Sequence, residues 1–378
     1  MKRFLNYSLV FVLVLCTSCF NRAENESEKD NLLSVNITDE PVTLPDLYDK
    51  AKFVPLENGE NHMISYAKKV IVKATNVFLY DSEPHPSIKV FSTNGEYIRN
   101  IGNLGHGNGE YVTIDDFTMS LNGDSVLILC NNSVLAYDDK GNFLFNKDID
   151  MPGVIRRIEC CNGGYVCLTE YKGNDYLLHF LDYDFKIKKE LINSDGKIIK
   201  EPSSVINPIQ VHGKDVWYYN WFTSTFYVVD TQDDYKISSY KINTEKANKP
   251  EQYEVDDYVF SNDFDAVSYY TVVDNMIFGW FHAAQYPVER PFFWDLNSNE
   301  IKVTSNREWL PYVHAVGSDT YYSLMDQESF IRESKEMEKF DNFDSNYFDV
   351  YNRPVREKDN YILVEFSPKK YYTMGNFD

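Results

Sequence analysis

Six times along the chain an apolar run ends in an aromatic or aliphatic pair and breaks at a polar turn. The six stretches are "IKVFSTNG", "VLAYDDKG", "LHFLDYDF", "FYVVDTQDD", "FFWDLNSNE" and "LVEFSPKK". Their turns open at Ser92, Asp138, Asp182, Asp230, Asp295 and Ser367, which places them 46, 44, 48, 65 and 72 residues apart. A recurrence of about 40–50 residues made of short strands and tight turns is the length of one four-stranded antiparallel sheet. Such a sheet cannot bury its faces alone, so successive copies must stack on one another. The last two spacings hold insertions.

Composition agrees with this pattern: aromatic residues make up 16% of the chain, with 29 Tyr and 25 Phe, and that excess favours strands. No helical pattern of useful length occurs between Lys52 and Met325. The expectation is an all-β, six-bladed β-propeller of four-stranded blades. Blade one runs from about Ile64 to Ile101, two from Thr113 to Lys147 and three from Val154 to Ile192. Blade four spans Ile206 to Ile242, five Ser268 to Thr304, and six begins near Tyr312 and ends in "NYILVEFSPKKYYTM". The first convincing strand lies near Phe53, and "AKFVPLE" is expected to pair with blade six and close the ring, removing exposed sheet edges. A two-sheet sandwich is the competing fold, but it needs fewer units than six. Within the last blade, an insertion at about 326–359 carries "DQESFIRESKEMEKF". Its Phe330, Met337 and Phe340 fall on one helical face, predicting a short helix that either covers the channel mouth or packs on the blade's outer edge.

The stretch "IGNLGHGNGEY" holds Gly102, Gly105, Gly107 and Gly109. Glycine loops of this density cradle phosphates when a helix N-terminus follows or when Gly-Lys-Ser/Thr closes the loop. Here the next segment is "YVTIDDFTMSLNGDSVLILC", β-branched and broken by a hairpin signal at Asn122-Gly123. The loop therefore reads as the link between blades one and two. Its glycines supply positive φ, and Glu110 bonds backbone N–H groups of the turn.

Residues 1–18 have the form of a signal peptide: Lys2 and Arg3 supply charge, and Phe4 to Leu15 form an apolar core too short to span a bilayer. "LCTSC" resembles a lipobox, with Cys19 as the residue to be acylated and Cys16 standing where Leu is usual. An acylated Cys19 anchors without spanning. Residues 19–50, beginning "CFNRAENESEKDN", read as a disordered tether, and 51–378 as the propeller domain. The expected location is the cell envelope, lipid-anchored to the outer membrane on its periplasmic or surface side. Formal net charge is −21, and losing Lys2 and Arg3 with the signal takes it to −23. So acidic a surface repels nucleic acid and anionic headgroups. Cys130, Cys160, Cys161 and Cys167 remain. Cys160 or Cys161 could reach Cys167 across a turn, although buried free thiols are the simpler reading.

"FVPLE" followed by "IKVFSTNGEYIRNIGNLGHGNGEY" resembles the six-bladed β-propeller lipoproteins of Gram-negative gut anaerobes, relatives of NHL-repeat propellers. That family's pattern is aromatic-Val-Pro-Leu-Glu, then Val-Phe-Asp-x-x-Gly, then Ile-Gly-x-x-Gly-x-Gly-Pro-Gly-Glu-Tyr. Ser92 stands here for the Asp and Asn108 for the Pro. The match is specific from Lys52 to Phe117 and architectural beyond. It implies a fold and an envelope location, and no reaction.

In a propeller, loops joining blades and loops joining second to third strands share one face. That rim gathers His85, His106, Tyr171, Trp221, His282, Gln285, Tyr286 and Arg290, aromatic faces beside hydrogen-bonding groups, which suit glycans or peptides. Trp221 and Trp280 also fit packing between blades, and Arg156 and Arg157 either line the channel or pair with acidic neighbours. There is no Gly-x-Ser-x-Gly elbow and no His-Glu-x-x-His. Asp115-Asp116, Asp256-Asp257 and Asp263/Asp265 read as solvated turns in so acidic a chain. The expectation is a non-catalytic, monomeric propeller that binds a glycan, peptide or envelope protein, with no cofactor and no metal. A propeller hydrolase or lyase on glycans or peptides is the alternative.

Overall fold

In a computed structural model of the chain, residues 31–42, 44–60, 62–170, 176–193, 207–220, 223–244, 265–283, 289–306, 312–317, 320–330, 348–350 and 361–368 are described. About two-thirds of them are strand, and nearly all the rest are turns and loops. Three separate four-stranded antiparallel sheets come first, spanning Ala67–Ile101, Asp116–Asp148 and Val154–Asn193. Two further four-stranded meanders, Ile209–Asn243 and Ala266–Asn306, belong to one nine-stranded sheet, and a five-stranded sheet and a two-stranded ladder (Asn103–Leu104 with Glu110–Tyr111) complete the set. Each of the first five expected units opens and closes within three residues of its sequence-derived boundary.

The second sheet shows why these residues form these strands. "SVLILC" (Ser125–Cys130) and "SVLAYD" (Ser133–Asp138) are buried on both faces, and Cys130 pairs with Ser133 across only two residues. Those two, Asn131 and Asn132, have φ of 48° and 63°, the left-handed pair that a tight hairpin requires and that Asn tolerates. On the other side Asn122-Gly123 makes the turn into Asp116–Met119, with Gly123 at φ 76°.

Among the described residues the hydrophobic core is divided into six clusters, each between consecutive units. Phe78, Val90 and Ile101 of the first sheet meet Phe117, Ile128 and Tyr137 of the second. Phe226 and Trp217 meet Trp294 and Phe292 within the nine-stranded sheet, and Val54 and Leu363 of the last sheet meet Val77 and Phe91 of the first. Sheets stacked face to face, with the last packed on the first, make a propeller-like all-β fold. Burying a side chain such as Phe226 or Phe117 stabilises it by roughly 1.5–3 kcal/mol, so these interfaces hold the ring together.

Closure uses the start of the chain. Tyr48–Pro55 pairs antiparallel with Tyr361–Pro368, Phe53 opposite Val364, so "AKFVP" sits in the last sheet as the sequence suggested. Asn31–Val42, by contrast, corrects the tether reading from residue 31 on, while 19–30 lie outside the described residues. Its first four residues pair in parallel with Lys236–Asn243 and the remainder with Glu300–Asn306, joining the two outer edges into the nine-stranded sheet. A short helix, Leu44–Leu47, leads on to Tyr48. The segment looks polar because only one face is covered: Leu33 and Val42 are buried while Leu32, Ser34 and Asn36 face water. Edge hydrogen bonding needs no apolar side chain.

Residues 327–330 begin the expected helix of the insertion, with Asp326 accepting the Ser329 N–H at 2.8 Å as its cap. Phe330 packs edge-on against Phe53, ring centres 4.9 Å apart. Met337 and Phe340 lie outside the described residues.

Candidate functional site

Two rim loops can be built from their bases upward. Residues 82–86 join the second and third strands of the first sheet. Asp81 at the base is buried, and its Oδ1 accepts the backbone N–H groups of Ser65 and Tyr66 at 3.1 and 2.8 Å. Its Oδ2 lies 2.6 Å from Lys89 Nζ, which also donates to Ser87 Oγ. His85 at the tip is exposed and makes no hydrogen bond among the described residues.

The glycine loop is held in a different way. Gly102 and Gly109 take positive φ, 64° and 75°, where a Cβ would also strike Tyr137 Oη at 2.7 Å and the Phe143 ring at 2.6 Å. Gly105 and Gly107 do not use that region, which corrects the expectation that all four supply it. A Cβ on either would instead meet the Glu110 carboxylate, at 2.1 and 2.9 Å. Glu110 Oε2 accepts the Gly107 N–H at 2.7 Å. A phosphate would have to displace this carboxylate. His106 is exposed at the loop's tip and, like His85, has no hydrogen-bond partner among the described residues.

Toward the axis the structure places a buried ionic cluster that sequence reasoning missed. Lys69 is on the innermost strand of the first sheet, Asp116 on that of the second and Glu159 on that of the third. Lys69 Nζ lies 3.0 Å from Asp116 Oδ1 and 2.6 Å from Glu159 Oε1. Thr118 Oγ1 donates to Glu159 Oε2 at 3.0 Å. Burial by itself pushes the Lys69 ammonium down, but Asp116 and Glu159 together outweigh it and hold the pKa above the ordinary 10.5. Burial raises the Glu159 carboxyl, Lys69 opposes that, and Asp116 adds to it, leaving it raised.

The same side chains replace sheet pairing where innermost strands meet side by side. Asp116 Oδ2 accepts the Ile158 N–H at 2.9 Å, and Thr118 Oγ1 that of Cys160 at 3.2 Å. Between the fourth and fifth units Gln210 Oε1 accepts the Val272 N–H at 3.0 Å. Asp116 and Asp265 are buried, which corrects the solvated-turn reading for these two; Asp256, Asp257 and Asp263 lie outside the described residues. Asp115 remains near solvent, with Arg156 Nη1 4.0 Å away. Asp116 opens the run "DFTM", a setting that marks it as strand and leaves its burial unmarked.

Two other candidates are not at an open rim. Arg290 is buried, donating through Nε to Thr304 O at 3.1 Å and through Nη2 to Thr38 O at 2.6 Å and Asp39 Oδ1 at 3.0 Å. It clamps the strand Asn31–Val42 to its neighbour. His282 is buried at the end of Met276–His282. Trp280 packs against Tyr312 between the fifth and last units, ring centres 5.4 Å apart. Tyr171, Trp221, Gln285, Tyr286 and Cys19 lie outside the described residues. The four cysteines within them are free and buried. Burial pushes Cys130 and Cys161 up to about 12 and Cys160 to about 11, and raises Cys167 as well, so none is a thiolate at neutral pH.

Residues 31–367 match the family described as a domain of unknown function, DUF4934. The chain belongs to the DUF4934 family. The match opens at Asn31, the first residue of the strand that joins the nine-stranded sheet. This DUF4934 chain is similar in fold to a protein from Bacteroides fragilis NCTC 9343 described as exported. Identity is 19%, 90% of this chain and 100% of that one are covered, and the TM-score is 0.67. It is more loosely similar to a DUF4221 member from Bacteroides vulgatus ATCC 8482, at 12% identity, 85% and 97% coverage and a TM-score of 0.48. No curated protein matches the sequence.

Proposed function

We propose that this DUF4934 protein is a non-catalytic, six-bladed β-propeller, exported and lipid-anchored through Cys19 at the outer membrane. Its loop rim binds a glycan, peptide or partner protein. The blade count takes the nine-stranded sheet as two blades joined by Asn31–Val42, and the six clusters between consecutive units support it. Export is supported by the Bacteroides fragilis neighbour, which shares the fold.

One observation carries the binding reading. Two of the described rim loops are tied by a carboxylate, Asp81 or Glu110, while the histidine at the tip of each is left exposed. Loops ordered from below lose little entropy when a ligand seats on them. A catalytic imidazole, by contrast, is normally oriented by a second group, and neither His85 nor His106 has one among the described residues.

Trp221 and Tyr286 are the proposed central contacts. Screening glycan and peptide libraries by thermal shift should yield a ligand that raises the melting temperature. Trp221→Ala should then abolish binding at little cost in stability, whereas truncating a packed Trp costs about 3–5 kcal/mol. Lost stability with binding intact would overturn the assignment of Trp221. Metabolic labelling with a lipid analogue should mark the wild type and leave Cys19→Ala unmarked.

A further inference from the structure

A cavity lies at the end of the sheets opposite the rim, where turns of the fourth and fifth units converge. Its volume is about 360 Å³, within the range of small-molecule sites. Asp215 opens the second strand of the fourth unit and Asp230 closes the third. Asp233 lies in the turn that follows, and Asn299 comes from the equivalent turn of the fifth unit. Trp217 and Tyr240 supply aromatic wall, both packed on the buried Trp294 at 5.9 and 5.1 Å between ring centres.

The carboxylates are not equivalent. Asp230 is already engaged: Oδ1 accepts the N–H groups of Gln232 and Asp233, and Oδ2 bonds Lys214. The Asp215 carboxylate makes no hydrogen bond among the described residues, although it is half-buried. Burial raises its pKa, with Lys214 and His212 opposing and Asp230 reinforcing the rise. A carboxylate withdrawn from water without a donor costs free energy that a bound cation would recover. Lys236 is the single cationic side chain in the lining and Lys214 is taken up by Asp230, which leaves one carboxylate in excess, and aromatic walls favour an organic cation over a bare metal ion.

We propose that this cavity binds a small organic ammonium ion, its charge on Asp215 and its apolar body against Trp217 and Tyr240. The site is independent of the rim and of lipid anchoring.

The test uses the full chain purified in detergent and two matched pairs of probes: choline with 3,3-dimethylbutanol, and cyclohexylamine with cyclohexanol. Calorimetric titration at neutral pH should show saturable binding of at least one ammonium probe, at least about tenfold tighter than its neutral partner, a difference of roughly 1.4 kcal/mol. Asp215→Asn, which preserves side-chain shape, should weaken that binding about tenfold or more, with an unchanged melting temperature to exclude misfolding. Lowering the pH through the raised Asp215 pKa should weaken the wild type in the same way. The proposal is overturned if neither ammonium saturates at millimolar concentration, if neutral partners bind equally, or if Asp215→Asn binds as the wild type does.

Discussion

Replacing Lys69 by Met should cost this fold a large part of its stability, and the geometry sets the scale. Lys69 Nζ stands 3.0 Å from Asp116 and 2.6 Å from Glu159, with only 6% of the lysine side chain and 3% of the aspartate exposed. At an effective dielectric of about 20, each contact is worth roughly 5–6 kcal/mol of gross attraction, most of it offset by the cost of taking the charges out of water. Removing the cation leaves that cost uncompensated, so the net loss should be about 3–5 kcal/mol. Domains of this kind are stable by about 5–15 kcal/mol, so Lys69→Met should remain folded with a much lower urea midpoint. Neutralising the partners as well, in Lys69→Met/Asp116→Asn/Glu159→Gln, should recover most of the loss, because the amide oxygen introduced at position 116 would still accept the Ile158 N–H. The deficit should also depend on pH. A carboxyl whose folded pKa is raised binds more protons in the native state, so its contribution falls as pH rises. Without Lys69 the Glu159 pKa rises further, and the deficit should be larger at pH 8 than at pH 5. Urea unfolding followed by tryptophan fluorescence measures all of this. A loss below about 1 kcal/mol, or a loss indifferent to pH, would mean that water reaches the cluster and the burial argument is wrong.

In the wild type, the raised Lys69 pKa gives a contribution fully present below pH 10.5 and lost as pH climbs through the folded value, so alkaline titration should show a stability loss that Lys69→Met lacks. Gly109→Val should lower the melting temperature more than Gly107→Val, since only Gly109 combines positive φ with a ring 2.6 Å from the added carbon. Arg290→Ala should loosen the strand Asn31–Val42, seen as faster amide exchange at residues 36–40 while the strand Ser125–Cys130 stays protected. Cys130, Cys160, Cys161 and Cys167 should react with a thiol reagent only after denaturation, since all four are buried and protonated at neutral pH.

The strand units, their boundaries and the closure by "AKFVP" were legible in the sequence because they rest on local rules. Alternation, β-branched content and turn residues such as Asn131-Asn132 act over a few positions, and the repeat spacing multiplies the signal. Glu110 was legible for the same reason: it bonds Gly107 three residues away. What only the tertiary structure decided lies between segments far apart in the chain. Asn31–Val42 looks like tether because its order comes from two strands some two hundred residues away and more, Lys236–Asn243 and Glu300–Asn306. Arg290 has the sequence position of a rim residue, but its guanidinium reaches Thr38 and Asp39, 252 and 251 residues away. Lys69, Asp116 and Glu159 sit 47 and 43 residues apart, each ordinary in an acidic sequence. Charge meets charge there only because three innermost strands converge on one axis, and no local pattern records which polar side chains such convergence will bury.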